Sequence, residues 1–570
     1  MHLALLPPAI DKTGTPWVTL EGSPRLFLSC RPGGGPQSWG RAYVWNPNRP
    51  SSIGPIDVPS GYPTNGSEDF FCGGHAFLFD GRFLFVNGTD SSQACTGGTG
   101  AFGHDDAWVL DTHLASPTWI HATGVTKPYR RWYPTATTLG DQTIVVHGHT
   151  GCPDVVPFPD AYRDRFTWTS SSATGSWGEV SAGLHPGNTK WIDGCAIPTN
   201  KVRLPGYPRL HLASTGELVW TPGLSSSGTS ADKSQFMNVD LPDCAASSAP
   251  IRWRLGSLSG AVPQLHFDGG SVQLITWDSF SGSFTEVFYL IGGANKGIEG
   301  EFTSCTGATV SSGVERMARI LPAFGADPAY DDGEWHAVAS LNTPRVNHNT
   351  VILLDGSLLV VGGMTCGGTD FTYWLQPERY MPTEVLDVPP TSAPVWVSLA
   401  PQYVPRGYHS TAVMLPSGQV VSAGGKAVAE AYHSVEVYTP GWGQVVGLTA
   451  PAIDAAGLLD PANDAYTYNE TFLFNVTLAP GKTVDRVALI RNGSSTHAFN
   501  PDQRYVELAR PVLDQQLSTT PNTWRLTVLA PKNHNWAPPG YYMLTVVDSA
   551  GVPAPAEWIR ISGQHGVAGP

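Results

Sequence analysis

The sequence predicts an all-β chain made of a repeat array followed by a smaller β unit. Three observations predict it. Turn-formers are abundant, with 63 Gly and 49 Pro in 570 residues. A strand–turn–strand pattern recurs along most of the length. No segment shows the 3.6-residue apolar period of a helix packed on a core. At this length a single core is not expected, so two or more units are predicted.

Composition narrows the function classes. The chain is 41% hydrophobic and 14% charged, with 19 Trp, 19 Tyr and 21 Phe, which is too apolar for a disordered protein. The 33 basic and 47 acidic residues leave a net charge of −14. A nucleic-acid binder needs a basic face for phosphates, so that class is excluded. No run of 18 apolar residues occurs, so no membrane span is expected. The opening MHLALLPPAI is too short for a signal peptide and lacks a basic n-region, so any targeting segment is expected to have been removed.

The repeats come next, because they decide the fold. An apolar strand, a turn with Gly, a second apolar strand and Gly-rich punctuation appear in HAFLFDGRFLFVNG (75–88), PTATTLGDQTIVVHG (134–148) and RLHLASTGELVWTPG (209–223). They return in VNHNTVILLDGSLLVVGG (346–363) and YHSTAVMLPSGQVVSAGG (408–425). A degenerate copy, VPQLHFDGGSVQLITW, with a late LIGG at 290–293, fills the gap. The Asp-Gly and Ser-Gly pairs suit tight hairpin turns, and the terminal Gly pairs permit positive φ. Repeats of this length suit four-stranded blades, the kelch form of a β-propeller. Residues 16–60 supply a further blade and make seven.

The repeats stop near residue 440. Beyond it, TYNETFLFNVTL, RVALIRNG, WRLTVLAP, GYYMLTVVDSAGVP and EWIRIS read as hairpin-connected strands. The expected architecture is therefore a seven-bladed kelch propeller over 1–440 and a C-terminal immunoglobulin-like β-sandwich over 441–570.

Eight cysteines stand at 30, 72, 95, 152, 195, 244, 305 and 366, with no CxxC and no zinc-ligand spacing. Sequons occur at Asn65, Asn87, Asn469, Asn475 and Asn492. Scattered cysteines, many Trp and few Lys predict a secreted glycoprotein with disulfides. Cys30 and Cys366 are candidate half-cystines. If Cys72 stands apart, an odd number remains, so at least one more cysteine lacks an intramolecular partner.

In a propeller, loops from every blade meet at the axis, so residues distant in sequence can form one site. Four segments are candidates: DFFCGGH with Cys72, RRWYPT with Tyr133, PRGYHS with Tyr408 and His409, and RNGSSTHAFNPDQR with His497. Each alone has an ordinary reading: a packed Tyr, a half-cystine, a solvated loop His.

Taken together, these segments resemble the copper radical oxidases, the family of galactose oxidase and glyoxal oxidase, from about residue 26 to 563. The resemblance extends to the ending PPGYYMLTVVDSAGVP. It implies that Cys72 and Tyr133 form a thioether-linked radical cofactor. It also implies that Tyr133, Tyr408, His409 and His497 hold one Cu(2+) per chain, with Tyr408 as axial general base. Two imidazoles and two phenolates suit Cu(II), and a bound cation lowers a phenol's pKa. The implied reaction takes a primary alcohol or hydrated aldehyde, with O2, to an aldehyde or acid plus H2O2. Partners beyond these small molecules are not expected, and the chain is expected to be a monomer.

Two departures are visible. Gly151 stands where galactose oxidase has a tryptophan stacked over its thioether. Only 71 residues precede Cys72, too few for that enzyme's leading sandwich, and RWYPT and YPRLHL lie closer to the glyoxal oxidase-like branch. Hexose specificity is therefore not expected.

The remaining histidines have structural readings. His147 and His149 occupy the Gly-punctuation place of their repeat. His75 points into a strand and His211 lies in one, while His348 begins a repeat as Tyr408 does and is a candidate to line the mouth. Arg131 and Arg406 are expected to brace loops through carbonyl hydrogen bonds. The rival classes are a non-catalytic kelch propeller that binds glycan or protein, and a copper protein without the thioether. Metal content separates the first, and gel mobility before and after copper loading in air separates the second.

Overall fold

The computed structural model describes residues 2–8, 24–30, 41–57, 68–94, 101–114, 117–122, 130–149, 164–169, 172–179, 207–221, 235–238, 266, 268–278, 283–294, 305, 307–321, 335–367, 370–382, 393–425, 434–443, 449–459, 464–510, 514–517 and 520–562. Among these residues there is no α-helix. Strands dominate, with one-turn 3-10 segments at Gly441–Gly443 and Ala455–Gly457. The all-β expectation holds.

The repeats form successive antiparallel sheets, each entered by an inner strand. The inner strands are His2–Leu6, Gly74–Phe77, Trp132–Thr138, Leu210–Leu212, Gly270–Asp278, Val346–Ile352 and Ser410–Met414, and each pairs with the strand after the repeat's turn. Gly74–Phe77, Trp132–Thr138 and Leu210–Leu212 lie side by side in that order. So do Gly270–Asp278, Val346–Ile352 and Ser410–Met414, and the last of these meets His2–Leu6. Their side chains are buried almost throughout, so inner positions are apolar or internally hydrogen-bonded.

One turn recurs in four repeats and explains their Gly. In 353–357 the Gly356 N–H donates to Leu353 O at 2.9 Å and the Leu353 N–H donates to Ser357 O at 2.8 Å, with Gly356 at φ +80°. Gly81, Gly216 and Gly418 repeat both bonds at φ between +81° and +89°. This is a turn followed by a left-handed bulge residue, longer than a two-residue hairpin. In 139–143 the left-handed residue is Gln142, at φ +72°, and not Gly140.

The Gly-Gly pairs have a second cause. The Gly363 N–H donates to Arg406 O at 2.7 Å, and a Cβ on Gly362 would lie 2.5 Å from that oxygen. Arg406, fully buried, sends Nη1 to Gly424 O at 2.8 Å and Nη2 to Glu436 at 3.0 Å. Arg345 does the same one repeat earlier, to Gly362 O and Glu378. These are the loop-bracing bonds expected of Arg406. Arg131 is likewise buried.

The C-terminal strands pack two sheets face to face. In Thr471–Thr477 the buried residues alternate as Phe472, Phe474 and Val476, while Leu473 faces out. They meet Val487, Leu489, Leu544, Val546 and Ile559 of the opposing sheet in one core. That second sheet is continuous with a repeat sheet, because Leu274 and Ile275 pair in parallel with Tyr505 and Val506. From the same region, Ser494–Thr496 reaches back and pairs with His2–Leu6, placing itself beside Gly74–Phe77.

Three inner-strand histidines set an acid limit. Burial lowers His75, His211 and His348 from the ordinary 6.5 to about 3. Between those values the unfolded chain binds protons that the folded chain does not, so stability falls as pH drops through the window. Asp502 opposes this, since burial raises its carboxyl to about 6 and the folded chain there holds the extra proton. Among these four groups the three histidines outweigh the one carboxyl near pH 5, so unfolding takes up protons and stability falls as pH drops. Calorimetry from pH 7 to 4 should show Tm falling steeply, with a shallower fall in His211→Gln. A flat profile would contradict the assignment.

Candidate metal centre

Residues from the whole length of the chain converge at one end of the inner strands. Cys72 stands two residues before Gly74–Phe77, Tyr133 is the second residue of Trp132–Thr138, and Tyr408 and His409 immediately precede Ser410–Met414. His497 follows Ser494–Thr496, the strand lent by the C-terminal region. Cys72, Tyr133, His409 and His497 all adopt left-handed backbone, at φ +68°, +56°, +68° and +49°. Such conformations are uncommon for residues with a Cβ and cluster at functional sites.

The five side chains form one group. The Tyr133 and Tyr408 hydroxyls are hydrogen-bonded at 2.5 Å. The His409 and His497 rings lie 4.5 Å apart at 85°, and Tyr133 and His497 lie 4.9 Å apart. Cys72 Sγ is 4.0 Å from His497 Nε2 and shares an apolar cluster with Trp132, Tyr133 and Tyr207. The Tyr133 N–H donates to Cys72 O at 2.9 Å, which ties the two strands' entry points together.

The electrostatics suit a cation. Burial, then the neighbouring Cys72 and Tyr408, push the Tyr133 hydroxyl well above its ordinary value. Burial and the adjacent His409 hold His497 well below its own. Two imidazoles beside two hydroxyls that share a hydrogen bond form a nitrogen and oxygen donor set. A cation binding there would draw the phenols toward phenolate. The donors fit copper(II), which favours this mixture of imidazole and oxygen ligands. Thr496 Oγ1 lies 2.7 Å from His497 Nδ1. When Nδ1 carries the hydrogen on that bond, Nε2 is left as the ligand atom.

Two aromatic residues had not been singled out. Trp132 stacks on Tyr133, with ring centroids 3.8 Å apart and 17° between planes. Tyr207 also stacks on Tyr133, at 4.9 Å and 25°, and its hydroxyl donates to Gly73 O at 3.0 Å. Its N–H donates to Tyr133 O at 2.6 Å. The available signal was the Tyr-Pro pair at 207–208, which echoes Tyr133-Pro134 at the same place in its repeat. Gly151 lies outside the described residues.

The histidines given structural readings make their contacts outside the donor group, whereas the buried His2 ring lies 6.4 Å from that of His497. His211 Nε2 is 2.6 Å from Ser271 Oγ, and His348 Nε2 accepts from the Gly270 N–H at 3.2 Å. His75 Nδ1 is 3.1 Å from Ser494 Oγ. His147 is buried in its strand, and the side chain of His149 lies outside the described residues. Cys305 and Cys366 form a disulfide beside Met364 and Tyr408. The side chain of Cys30, and Cys95, Cys152, Cys195 and Cys244, lie outside the described residues. Asn87 and Asn492 are buried, with Nδ2 donating to His104 O and Leu5 O, so these sequons have no room for a glycan. Asn469 and Asn475 reach the surface, and Asn65 lies outside the described residues.

Along 98% of its length the chain superposes on a fungal alcohol oxidase of the AA5 family in complex with copper, covering 96% of that chain at 20% identity and a TM-score of 0.63. At that identity the likeness is one of fold: all-β and propeller-like. Residues 458–561 match the family model described as "Galactose oxidase-like, Early set domain". The chain is 26% identical to a galactose oxidase of Gibberella zeae over 339 residues, 54% of this chain and 45% of that protein. It is 28% identical to the aldehyde oxidase GLOX of Vitis pseudoreticulata over 230 residues, 38% of this chain and 41% of that protein. The match thus spans less than half the length of each relative. The resemblance to galactose oxidase and the glyoxal oxidase-like proteins is borne out, and these proteins are homologues of this chain.

Proposed function

We propose that the chain is a secreted copper radical oxidase that takes a primary alcohol or hydrated aldehyde, with O2, to the aldehyde or acid and H2O2. The observation that carries this reading is the convergence of Cys72, Tyr133, Tyr408, His409 and His497, drawn from positions up to 425 residues apart. Tyr133, Tyr408, His409 and His497 would hold one copper ion. That ion supplies Lewis acidity toward the substrate oxygen and a one-electron redox change. Tyr408 Oη receives the substrate hydroxyl proton. Tyr133, joined to Cys72 through sulfur, takes a hydrogen atom from the carbon bearing that oxygen. The two hydrogens lost by the substrate leave with O2 as H2O2, which balances the reaction.

The same reading treats residues 1–440 as a seven-bladed kelch propeller, supported by the seven inner strands. It treats 441–570 as an immunoglobulin-like sandwich that contributes one ligand, supported by the two-sheet core. The Cys305–Cys366 disulfide supports an oxidising compartment.

Tyr408→Phe tests the chemistry. It keeps the ring and removes the proton acceptor, so copper should stay near one per chain while kcat falls by about 100- to 10,000-fold, the usual worth of a positioned acid or base. Unchanged kcat in the variant would remove Tyr408 from the mechanism. Wild-type protein that takes up no copper would leave a propeller without this function.

A further inference from the structure

The left-handed backbone at the metal centre belongs to a longer series. Cys72, Tyr133, Tyr207, Asp268, Asn347 and His409 occupy the same place in six successive repeats, just before or within the start of the inner strand. Their φ values are +68°, +56°, +48°, +50°, +55° and +68°. Three of the neighbouring pairs are joined by the same bond: Tyr133 N–H to Cys72 O, Tyr207 N–H to Tyr133 O, and Asn347 N–H to Asp268 O, at 2.9, 2.6 and 2.9 Å. The shared backbone places all six residues at the same end of the inner strands. Cys72, Tyr133 and His409 belong to the candidate metal centre and Tyr207 stacks on Tyr133, which leaves Asp268 and Asn347.

Both carry unused polar capacity. Asn347 is 1% exposed, yet its Nδ2 has no acceptor among the described residues. A buried donor without an acceptor is costly and invites a ligand. The Asp268 side chain is 23% exposed, and its nearest cation is Arg209 Nη2 at 4.0 Å, beyond hydrogen-bonding distance. Arg209 Nε and Nη1 donate to the carbonyls of Gly269 and Tyr207, its guanidinium lies over the Phe499 ring, and its Nη2 faces Asp268.

Resting on the oxidase reading above, we propose that Asp268 and Asn347 are specificity-determining residues that accept from and donate to a second hydroxyl of the substrate, selecting alcohols with a neighbouring hydroxyl over simple alkanols. A site built to hydrogen-bond a hydroxyl rejects the analogue that lacks it, because its own polar groups are then left unpaired.

The test compares glycerol with 1-propanol in copper-loaded, air-oxidised protein by peroxide release. The variants respect the backbone: Asp268→Asn keeps shape and tolerates positive φ, and Asn347→Gly removes the side chain at a position where Gly is unstrained. Wild type should prefer glycerol by kcat/KM. That preference should fall about tenfold in Asp268→Asn and about fivefold in Asn347→Gly, mostly through the KM for glycerol. Circular dichroism and copper content monitor folding and loading. With loading and turnover intact, a wild type that does not prefer glycerol, or a preference unchanged in both variants, overturns the assignment. Equal losses on both alcohols would mark the residues as structural and overturn it as well. A wild type without copper or turnover overturns the oxidase reading, and this assignment with it.

Discussion

His497→Ala and His409→Ala should each abolish stoichiometric copper binding and all turnover while the chain stays folded. Each removes one of two imidazole donors, and two phenols with a single imidazole make a poor copper(II) site. His497 is the more informative, because its neighbours include Thr496 at Nδ1, the Tyr207 ring at 4.6 Å and Cys72 Sγ at 4.0 Å. Its loss should leave a cavity but no change of strand register, since Ser494–Thr496 is fixed by backbone pairing to His2–Leu6. Copper analysis after dialysis, with far-UV circular dichroism as the folding check, decides the matter. Wild-type copper content in either variant would remove that residue from the ligand set.

Cys72→Ser should separate the radical from the metal. The four donor residues are untouched, so copper should bind, but the Tyr133 radical should lose its absorption and turnover should collapse. In the wild type exposed to copper and air, the Cys72 and Tyr133 segments should form one tryptic species that survives reduction, because thiols do not cleave a thioether. The mature chain should be about 2 Da lighter than its disulfide-corrected mass. Recovering Cys72 as an alkylatable thiol after loading would overturn the radical mechanism and leave a copper site standing.

Much of the site was legible in the sequence because four of its five residues stand where a repeat begins. The DGR and SGQ turns and the Gly-Gly stops mark where every inner strand begins, and Cys72, Tyr133, Tyr408 and His409 stand at those beginnings. His497 was legible only through the family resemblance, because no repeat surrounds it. Trp132 and Tyr207 were hidden for different reasons. Stacking between Trp132 and Tyr133, adjacent in sequence, depends on the positive φ at Tyr133 and on the register break between Trp132 and Thr135, and neither has a Gly to announce it. Tyr207 lies 74 residues from Tyr133, and only their shared place in two repeats relates them. Asp268 was masked by the weakest repeat copy, in which LHFDGGS replaces the usual Tyr or His. The Gln142 turn shows the converse: Gly140-Asp141 looked like the turn, yet the left-handed residue came two positions later.

The strand Ser494–Thr496 has a consequence in time as well as space. It enters from the C-terminal region, pairs with the first strand of the chain, and carries His497 to the place beside His409, where the Ala498 N–H donates to Ser410 O at 3.0 Å. A growing chain therefore holds Cys72, Tyr133, Tyr408 and His409 long before it can complete the donor set. On the proposed copper reading, until His497 is made and docked the metal would have one imidazole too few, and an oxidising centre would not be assembled on a half-folded protein. Copper uptake would then report that folding has finished, and a chain truncated before residue 494 would be inert by construction.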